Sequence, residues 1–348
     1  MRARVRFVQV GLSHPHSAGI RETLLGMPEV EIVGFCDADS TLRGQLPPAL
    51  AGAPFFSDFG ELLDALDPDA AVITMPGDLT PDLVVQAAES GVHIYADKPV
   101  ARTAAELAPA VEVVRRAGVQ STHGYLRRFM PAGIAIKQLV EQGVLGRLIS
   151  IEARWITTSV ERRGRDSFYF TRARNGGGML NWLGCHHLDF MRWVTSAEVA
   201  EVAAVTATLS QPPIDVEDVA SLALRYDNGM IGSLHCAFAT DRDTDQAFAL
   251  RGSLGSITWD GAGPQVEVRS IHPSWRAAPT RIMRFEVDPV PGYGGAVGVA
   301  AFRHFIAAMR GEVAPVDTIE DALRVLETLD GAHESARTGR RISVQPTL

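Results

Sequence analysis

The stretch Val5-Arg6-Phe7-Val8-Gln9-Val10-Gly11-Leu12-Ser13-His14-Pro15-His16 decides the fold. Its apolar run into Gly11 has the pattern of a strand buried on both faces of a parallel sheet. The spacing predicts a helix that starts near Ser13-His14-Pro15-His16 and ends by Gly26-Met27-Pro28. A second strand, Val30 to Cys36, then finishes at Asp37, which completes a strand–helix–strand unit. Ala70 to Thr74 and Val92 to Tyr95 read as further short apolar strands, with helices over Asp82–Ser90 and Thr103–Ala117. That alternation predicts an α/β chain opening on a doubly wound parallel sheet.

The turn after the first strand is where a dinucleotide's pyrophosphate meets backbone N–H groups at a helix N-terminus. A complete G-x-G-x-x-G pattern needs glycine at positions 13 and 16, where this chain has Ser13 and His16, so Gly11 alone remains. Ser13 is expected to cap the helix, and His14 or His16 to face the diphosphate; the plainer reading is a capped start with two solvent histidines. Asp37 stands where a carboxylate accepts hydrogen bonds from a ribose diol and repels a 2′-phosphate, which favours NAD. NADP stays open, because Asp37 also suits a turn cap and Arg43 lies nearby.

Composition removes several function classes. The chain has 348 residues, 46% of them hydrophobic, and 41 acidic against 33 basic residues give a net charge of −8. No basic block is long enough to form a phosphate track, so nucleic acid is not expected as a partner. Cys36, Cys185 and Cys236 are far apart and form no CxxC pair, so neither a disulfide framework nor a zinc knuckle is predicted. No recognised ligand spacing links His14, His16, His186 and His187, and no metal is expected. The start Met1-Arg2-Ala3-Arg4 lacks an apolar export core and no apolar run is membrane-length; a soluble, cytoplasmic protein is expected.

After Val119 the rhythm changes to longer β-rich stretches: Leu148–Thr157, Val199–Thr208, Val219–Tyr226, Met230–Ala239 and Ala247–Leu250. Asp227-Asn228-Gly229 has the residues of a tight hairpin turn. A boundary near Ser121 is therefore predicted, giving residues 1–121 as an NAD(P)-binding Rossmann domain. Residues 122–348 are then a substrate-binding and oligomerisation α/β domain with a large, mostly antiparallel open sheet. Helices over Ala300–Met309 and Ile319–Arg337 either pack on that sheet or return to the first domain.

Four segments carry a resemblance. Asp69 to Pro76 followed by Ser90 to Ala101 is similar to the GFO/IDH/MocA oxidoreductases, whose Glu-Lys-Pro signature appears here as Asp97-Lys98-Pro99. Gly124-Tyr125-Leu126-Arg127-Arg128-Phe129-Met130-Pro131 resembles that family's entry into its second domain. Gly176-Gly177-Gly178 through His186-His187-Leu188-Asp189 resembles its glycine-rich histidine motif, and Glu334 to Arg340 its C-terminal ending.

The resemblance implies hydride transfer between a nicotinamide and a carbinol of a sugar, polyol or related small molecule, by a homodimer or homotetramer. It implies Lys98 and His186 as catalytic residues, with cofactor contacts at Thr74, Met75, Pro76, Asp97 and Lys98. A base of suitable pKa must take the hydroxyl proton, which suits His186, while the Lys98 ammonium steadies developing alkoxide charge. Asp189, three residues after His186, shares its helical face, and Arg127, Arg165 and Tyr169 are candidate substrate contacts. Trp182 occupies the place of the aspartate that many relatives carry four residues before the histidine, and an indole offers only an N–H donor. Two other readings stay open: an NAD-dependent glycosidase or lyase that oxidises its sugar transiently, and a nucleotide-sensing protein without turnover.

Overall fold

The computed structural model describes residues 4–241 and 243–348, so the reading of Met1 to Ala3 lies outside the described residues. Among the described residues, no helix is long and apolar enough to cross a membrane.

The chain forms two compact units. The first takes residues up to Ala101, Ala105–Phe129 and Val287–Leu323. Its six-stranded sheet contains β1 (Val5–Val10), β2 (Val30–Cys36), β3 (Phe55–Phe56), β4 (Ala70–Ile73), β5 (His93–Ala96) and β6 (Ser121–Thr122). The strand order is β3-β2-β1-β4-β5-β6 and the pairings are parallel. The connecting helices are α1 (Ser17–Leu25), α2 (Phe59–Leu66), α3 (Thr80–Glu89) and α4 (Ala104–Ala117). The strand order reverses between β1 and β4, and the carboxyl ends at such a reversal are the usual ligand position in open parallel sheets.

The second unit takes Arg102–Ala104, Met130–Glu286 and Arg324–Leu348. After α5 (Pro131–Glu141) comes the long strand β7 (Leu148–Thr158), followed by two one-turn helices, α6 (Val160–Arg163) and α7 (Arg172–Asn175). Helix α8 (Cys185–Thr195) leads to β8 (Val199–Ala207), β9 (Val219–Tyr226), β10 (Ile231–Thr240) and β11 (Asp245–Gly252). β12 (Gly255–Trp259), β13 (Gln265–Ser270) and β14 (Thr280–Arg284) extend that sheet. Helices α9 (Gly295–Met309) and α10 (Ile319–Thr338) and the short β15 (Ile342–Ser343) end the chain. The nine strands run β14-β13-β12-β11-β7-β10-β9-β8-β15, antiparallel except for β7 with β10. Alternation along β9 puts Ala220, Leu222 and Leu224 inside and leaves Ser221, Ala223 and Arg225 outward, as a sheet covered on one face requires. The predicted hairpin turn forms, with Gly229 at φ +83°.

The division differs from the expected single cut at 121. The first unit runs on to Phe129 and recovers Val287–Leu323. The reason is apolar: Phe302, Phe305 and Ile306 of α9 join Phe7, Ile20, Leu24, Phe35 and Val72 in one core. Phe302 meets Phe7 edge-on at 6.2 Å and stacks on Tyr95 at 4.8 Å. Of the two placements that the sequence leaves open for this helix, the structure takes the return to the first unit.

Candidate active site

The first unit gathers its candidate residues at the carboxyl ends of β1, β2, β4 and β5. Gly11 leaves β1 at φ +84°, and a Cβ there would lie 2.2 Å from the Thr74 carbonyl oxygen and 2.6 Å from Met75 Sδ. Only glycine fits that conformation and that gap. Thr74 fastens the turn by donating its hydroxyl to the Gly11 carbonyl at 2.5 Å, while the Pro76 carbonyl accepts from Leu79 and Thr80 as α3 begins. Asp37, buried at the end of β2, accepts the Leu12 N–H at 2.8 Å and the Asp39 N–H at 3.0 Å, so its carboxylate holds the glycine turn to the next loop.

Helix α1 starts later than expected. It begins at Ser17 with His16 at the N-cap, and Ser13 is exposed and does not cap it. The extra turn swings both histidines inward, so they are not solvent groups. His14 is buried, and its Nδ1 accepts the His16 backbone N–H at 3.1 Å. His14 Nε2 lies 3.6 Å from Asp97 Oδ2, and His16 Nδ1 lies 2.7 Å from the same oxygen. The other Asp97 oxygen accepts the Tyr95 hydroxyl at 3.2 Å. Tyr293, just before α9, stacks on the His16 ring at 4.3 Å.

Lys98 is 1% exposed, beside Asp97 in sequence. Burial alone would raise the Asp97 carboxyl, but the charge and hydrogen bond of His16, with His14 and Lys98, hold it well below the usual carboxylate range. Burial lowers the His14 imidazole to about 3, so it is neutral, and it pushes the Tyr95 phenol well above its ordinary value. Gly124 lies against this cluster at φ +73°, where a Cβ would come within 2.8 Å of the Tyr95 hydroxyl and 2.9 Å of Asp97. Arg127 is buried nearby in sequence, and burial draws its guanidinium down to about 10, which leaves it charged at neutral pH.

His14, His16 and Asp97 hold ligand-type atoms within 4.8 Å of one another. His14 accepts the His16 N–H at Nδ1, so in its neutral form the ring proton sits on Nε2, the nitrogen that faces Asp97 at 3.6 Å.

The second unit builds a different environment around α8. Gly178 lies against the β9 approach: a Cβ there would sit 2.0 Å from the Glu217 carbonyl oxygen. Glu217 Oε1 accepts the Gly178 and Leu180 N–H groups at 2.9 and 3.0 Å. Leu180–Gly184 then winds as a π-helical turn before α8, a feature found disproportionately at functional sites. His186 and Asp189 follow on one face of α8; Asp189 is fully buried, and His186 is partly buried with its ring 5.9 Å from that of Trp155. Trp182 is 3% exposed and stacks on Tyr169 at 4.5 Å and 14°, with Phe168 edge-on at 5.6 Å. The indole therefore belongs to an aromatic wall. Arg165 bonds Glu161 at 2.9 Å and the Pro212 carbonyl, bracing its loop.

Tyr95 and Tyr293 were not among the sequence candidates. Tyr95 lies inside the quoted family segment, two residues before Asp97, whereas nothing local marks Tyr293.

Comparison with known proteins agrees with this architecture. Residues 5–125 match the model of the oxidoreductase family with an NAD-binding Rossmann fold, and residues 134–258 match the GFO/IDH/MocA C-terminal domain. Levoglucosan dehydrogenase of Pseudarthrobacter phenanthrenivorans is 27% identical over 233 residues, 59% of this chain and 58% of that protein, so the chain matches less than two thirds of that relative's length. D-apiose dehydrogenase of Paraburkholderia graminis is 28% identical over 326 residues, 90% of this chain and 83% of the relative. A solved structure of levoglucosan dehydrogenase with NADH and levoglucosan superposes with a TM-score of 0.83 at 23% identity, covering 98% of this chain and 99% of that one. With both halves matched in order, the chain belongs to the GFO/IDH/MocA family of NAD-binding oxidoreductases.

Proposed function

We propose that this protein is an NAD(P)-dependent dehydrogenase transferring a hydride between the nicotinamide and a carbinol or carbonyl of a sugar, polyol or related small molecule. The observation that carries this reading is Lys98, an ammonium buried at the carboxyl end of β5 beside Asp97. The residues present suit a dinucleotide: Gly11 closes a turn that any Cβ would block, and Asp37 is a buried carboxylate at the ribose position. Gly11, Ser13, His14, His16, Asp37, Thr74, Met75, Pro76, Asp97 and Lys98 would hold the cofactor, which supplies a hydride acceptor when bound.

Lys98 donates a hydrogen bond to the substrate hydroxyl and stabilises negative charge as it grows on that oxygen. His186 takes the hydroxyl proton, and Asp189 on the same helix face grips a substrate hydroxyl or supports the imidazole. The stacked rings of Tyr169 and Trp182 offer an apolar wall to the C–H face of a sugar ring, and Arg127 and Arg165 are polar contacts. The relatives named for levoglucosan and D-apiose support a sugar-like substrate. The first unit then serves the nucleotide, and the second serves the substrate and assembly. The open face of the nine-stranded sheet exposes Ile231 at 56% and Ile282 at 59%, which supports a homodimer or homotetramer joined there.

The test is analysis of nucleotide released from the purified protein, then a panel of levoglucosan, D-apiose, inositols and glycosides with NAD or NADP, followed by reduced-nicotinamide absorbance. Reduced cofactor accumulating with one sugar is the expected result. Glycoside cleavage with bound NAD left constant would move the assignment to a redox-assisted glycosidase or lyase. Tight nucleotide binding without turnover of any compound would indicate a sensing protein.

A further inference from the structure

Within the second unit, helix α10 reaches back to the glycine-rich turn through one side chain. Asn181, fully buried, donates its amide Nδ2 to the Asn175 carbonyl at 3.0 Å, which leaves its Oδ1 to accept. His333 Nε2 donates to that oxygen at 2.7 Å, joining positions 152 residues apart. The glycine triplet makes room for this bond. A Cβ on Gly177 would lie 2.4 Å from Asn181 Oδ1 and 2.5 Å from His333 Nε2, and one on Gly176 would lie 3.0 Å from Asn181 Nδ2. Asn175 ties in the segment before the turn by donating its own Nδ2 to the Gly177 carbonyl at 2.7 Å. Burial lowers the His333 imidazole against the opposing charge of Glu217, so the ring is neutral at neutral pH and its single proton is the one that Asn181 accepts.

The turn held in this way is the π-helical one. Its Leu180 carbonyl accepts the Cys185 N–H five residues on, so the turn carries one residue more than the α-helix it feeds. An α-helix advances about 100° per residue, so relaxing the turn by one residue would swing Asn181 and Trp182 by about that angle relative to His186. Glu217 fixes where the turn starts, through the Gly178 and Leu180 N–H groups, and His333 grips its second residue. We infer that His333 and Asn181 form a clasp that sets the register of this turn, which makes them positioning residues for His186 and for the Trp182 face of the aromatic wall. The bearing of the clasp on catalysis rests on the dehydrogenase reading; the register does not. His333 is half-buried and lines an open cavity of about 660 Å³ with Arg172, Thr206 and Thr208, so replacing it leaves no sealed void in the core.

Two measurements test it. In protein labelled with 5-fluorotryptophan, the ¹⁹F resonance of Trp182 is assigned with Trp182→Phe, and that of Trp275, packed on Arg281, serves as reference. His333→Leu should shift the Trp182 resonance and leave Trp275 in place. His333→Gln keeps an N–H donor and should leave both as in the wild type. Gly177→Ala, which drives a Cβ between amide and imidazole, should shift Trp182 as His333→Leu does. A Trp182 resonance unmoved in His333→Leu, or moved as far in His333→Gln, overturns the clasp; should the leucine variant not fold, Gly177→Ala decides by the same reading. On the sugar identified by the panel, His333→Leu should lower kcat by about tenfold with NADH affinity within about twofold of wild type, and His333→Gln should keep the rate. Wild-type kcat in His333→Leu, or an equal loss in both variants, overturns the positioning role. Wild-type protein that turns over nothing in the panel removes the dehydrogenase reading, and the ¹⁹F shifts alone then decide the register.

Discussion

At the ends of β1 and β5 a buried charge is kept by other polar groups: Asp97 by His16, His14, Tyr95 and Lys98. At the turn into α8 the positions are set by close packing, with Trp182 stacked on Tyr169 and three glycines pressed on Glu217, Asn181 and Arg102. The first arrangement depends on which groups hold protons. The second depends on shape, so the two regions should fail under different perturbations.

Acid separates them most strongly. Burial lowers His14 to about 3 and His123 to about 4, so on acidification the unfolded chain takes up these protons first. Their stabilisation is complete above the ordinary histidine value of 6.5 and is lost as pH falls toward 3–4, by roughly 3–5 kcal/mol each. Asp97, held low, acts in the same direction at still lower pH. Hydrogen exchange taken from about pH 7 to about pH 4 should show β1, β5 and β6 losing protection before β9 and β10, although His333 is also lowered in the second unit. Earlier loss in β9 and β10 would reverse the comparison.

Lys98→Ala and His186→Ala sample the two regions by chemistry. Each should lower kcat by on the order of 10²-fold or more, with NADH affinity largely kept in His186→Ala and reduced in Lys98→Ala, which also loses a cofactor contact. If both variants turn over at the wild-type rate, the catalytic assignment is wrong for both.

Packing should dominate at the second region. Gly178→Ala would place Cβ 2.0 Å from the Glu217 carbonyl oxygen, a contact relieved only by moving backbone. It should cost about 1–3 kcal/mol in urea denaturation, with little dependence on pH. Gly44→Ala, where no atom lies within 4 Å, is the control and should stay within about 0.5 kcal/mol. Equal effects from the two substitutions would show that helix and turn preferences outweigh the collision.

Local pattern made much of this architecture readable. β1, β2 and β9 occupy the predicted spans because apolar residues with strand periodicity end at Gly11, Asp37 and Asp227. Gly11, Asp37, Lys98 and Asp97 lie together because strand ends in a parallel sheet converge. What pattern could not supply is contact over distance. His16 and Asp97 are 81 residues apart, and no spacing rule joins them. The return of α9 rests on Phe302 and Phe305 matching Phe7, which any apolar helix face allows and none announces. The late start of α1 follows from His14 pairing inward, which outweighs the Ser13 capping preference. Trp182 was legible as a departure, and its meaning came only with Tyr169 beneath it.

The smallest expected effect is the most specific to the first region. Asp37 holds the Leu12 N–H at 2.8 Å and the Asp39 N–H at 3.0 Å, and under the proposed function its charge also opposes a 2′-phosphate. Asp37→Ala removes the charge and both hydrogen bonds and should lower the preference for NAD over NADP by about tenfold, the scale of one hydrogen bond to a charged group, together with a lower Tm. Asp37→Asn keeps one oxygen for Leu12, gives up the oxygen that accepts the Asp39 N–H and removes the charge, so it should lose less Tm than Asp37→Ala and still relax the preference. A cofactor ratio unchanged in both variants would assign Asp37 to the turn alone. Because Asn preserves the Leu12 bond that Ala loses, NADP gained equally by both variants measures the carboxylate's charge separately from its hold on the glycine turn.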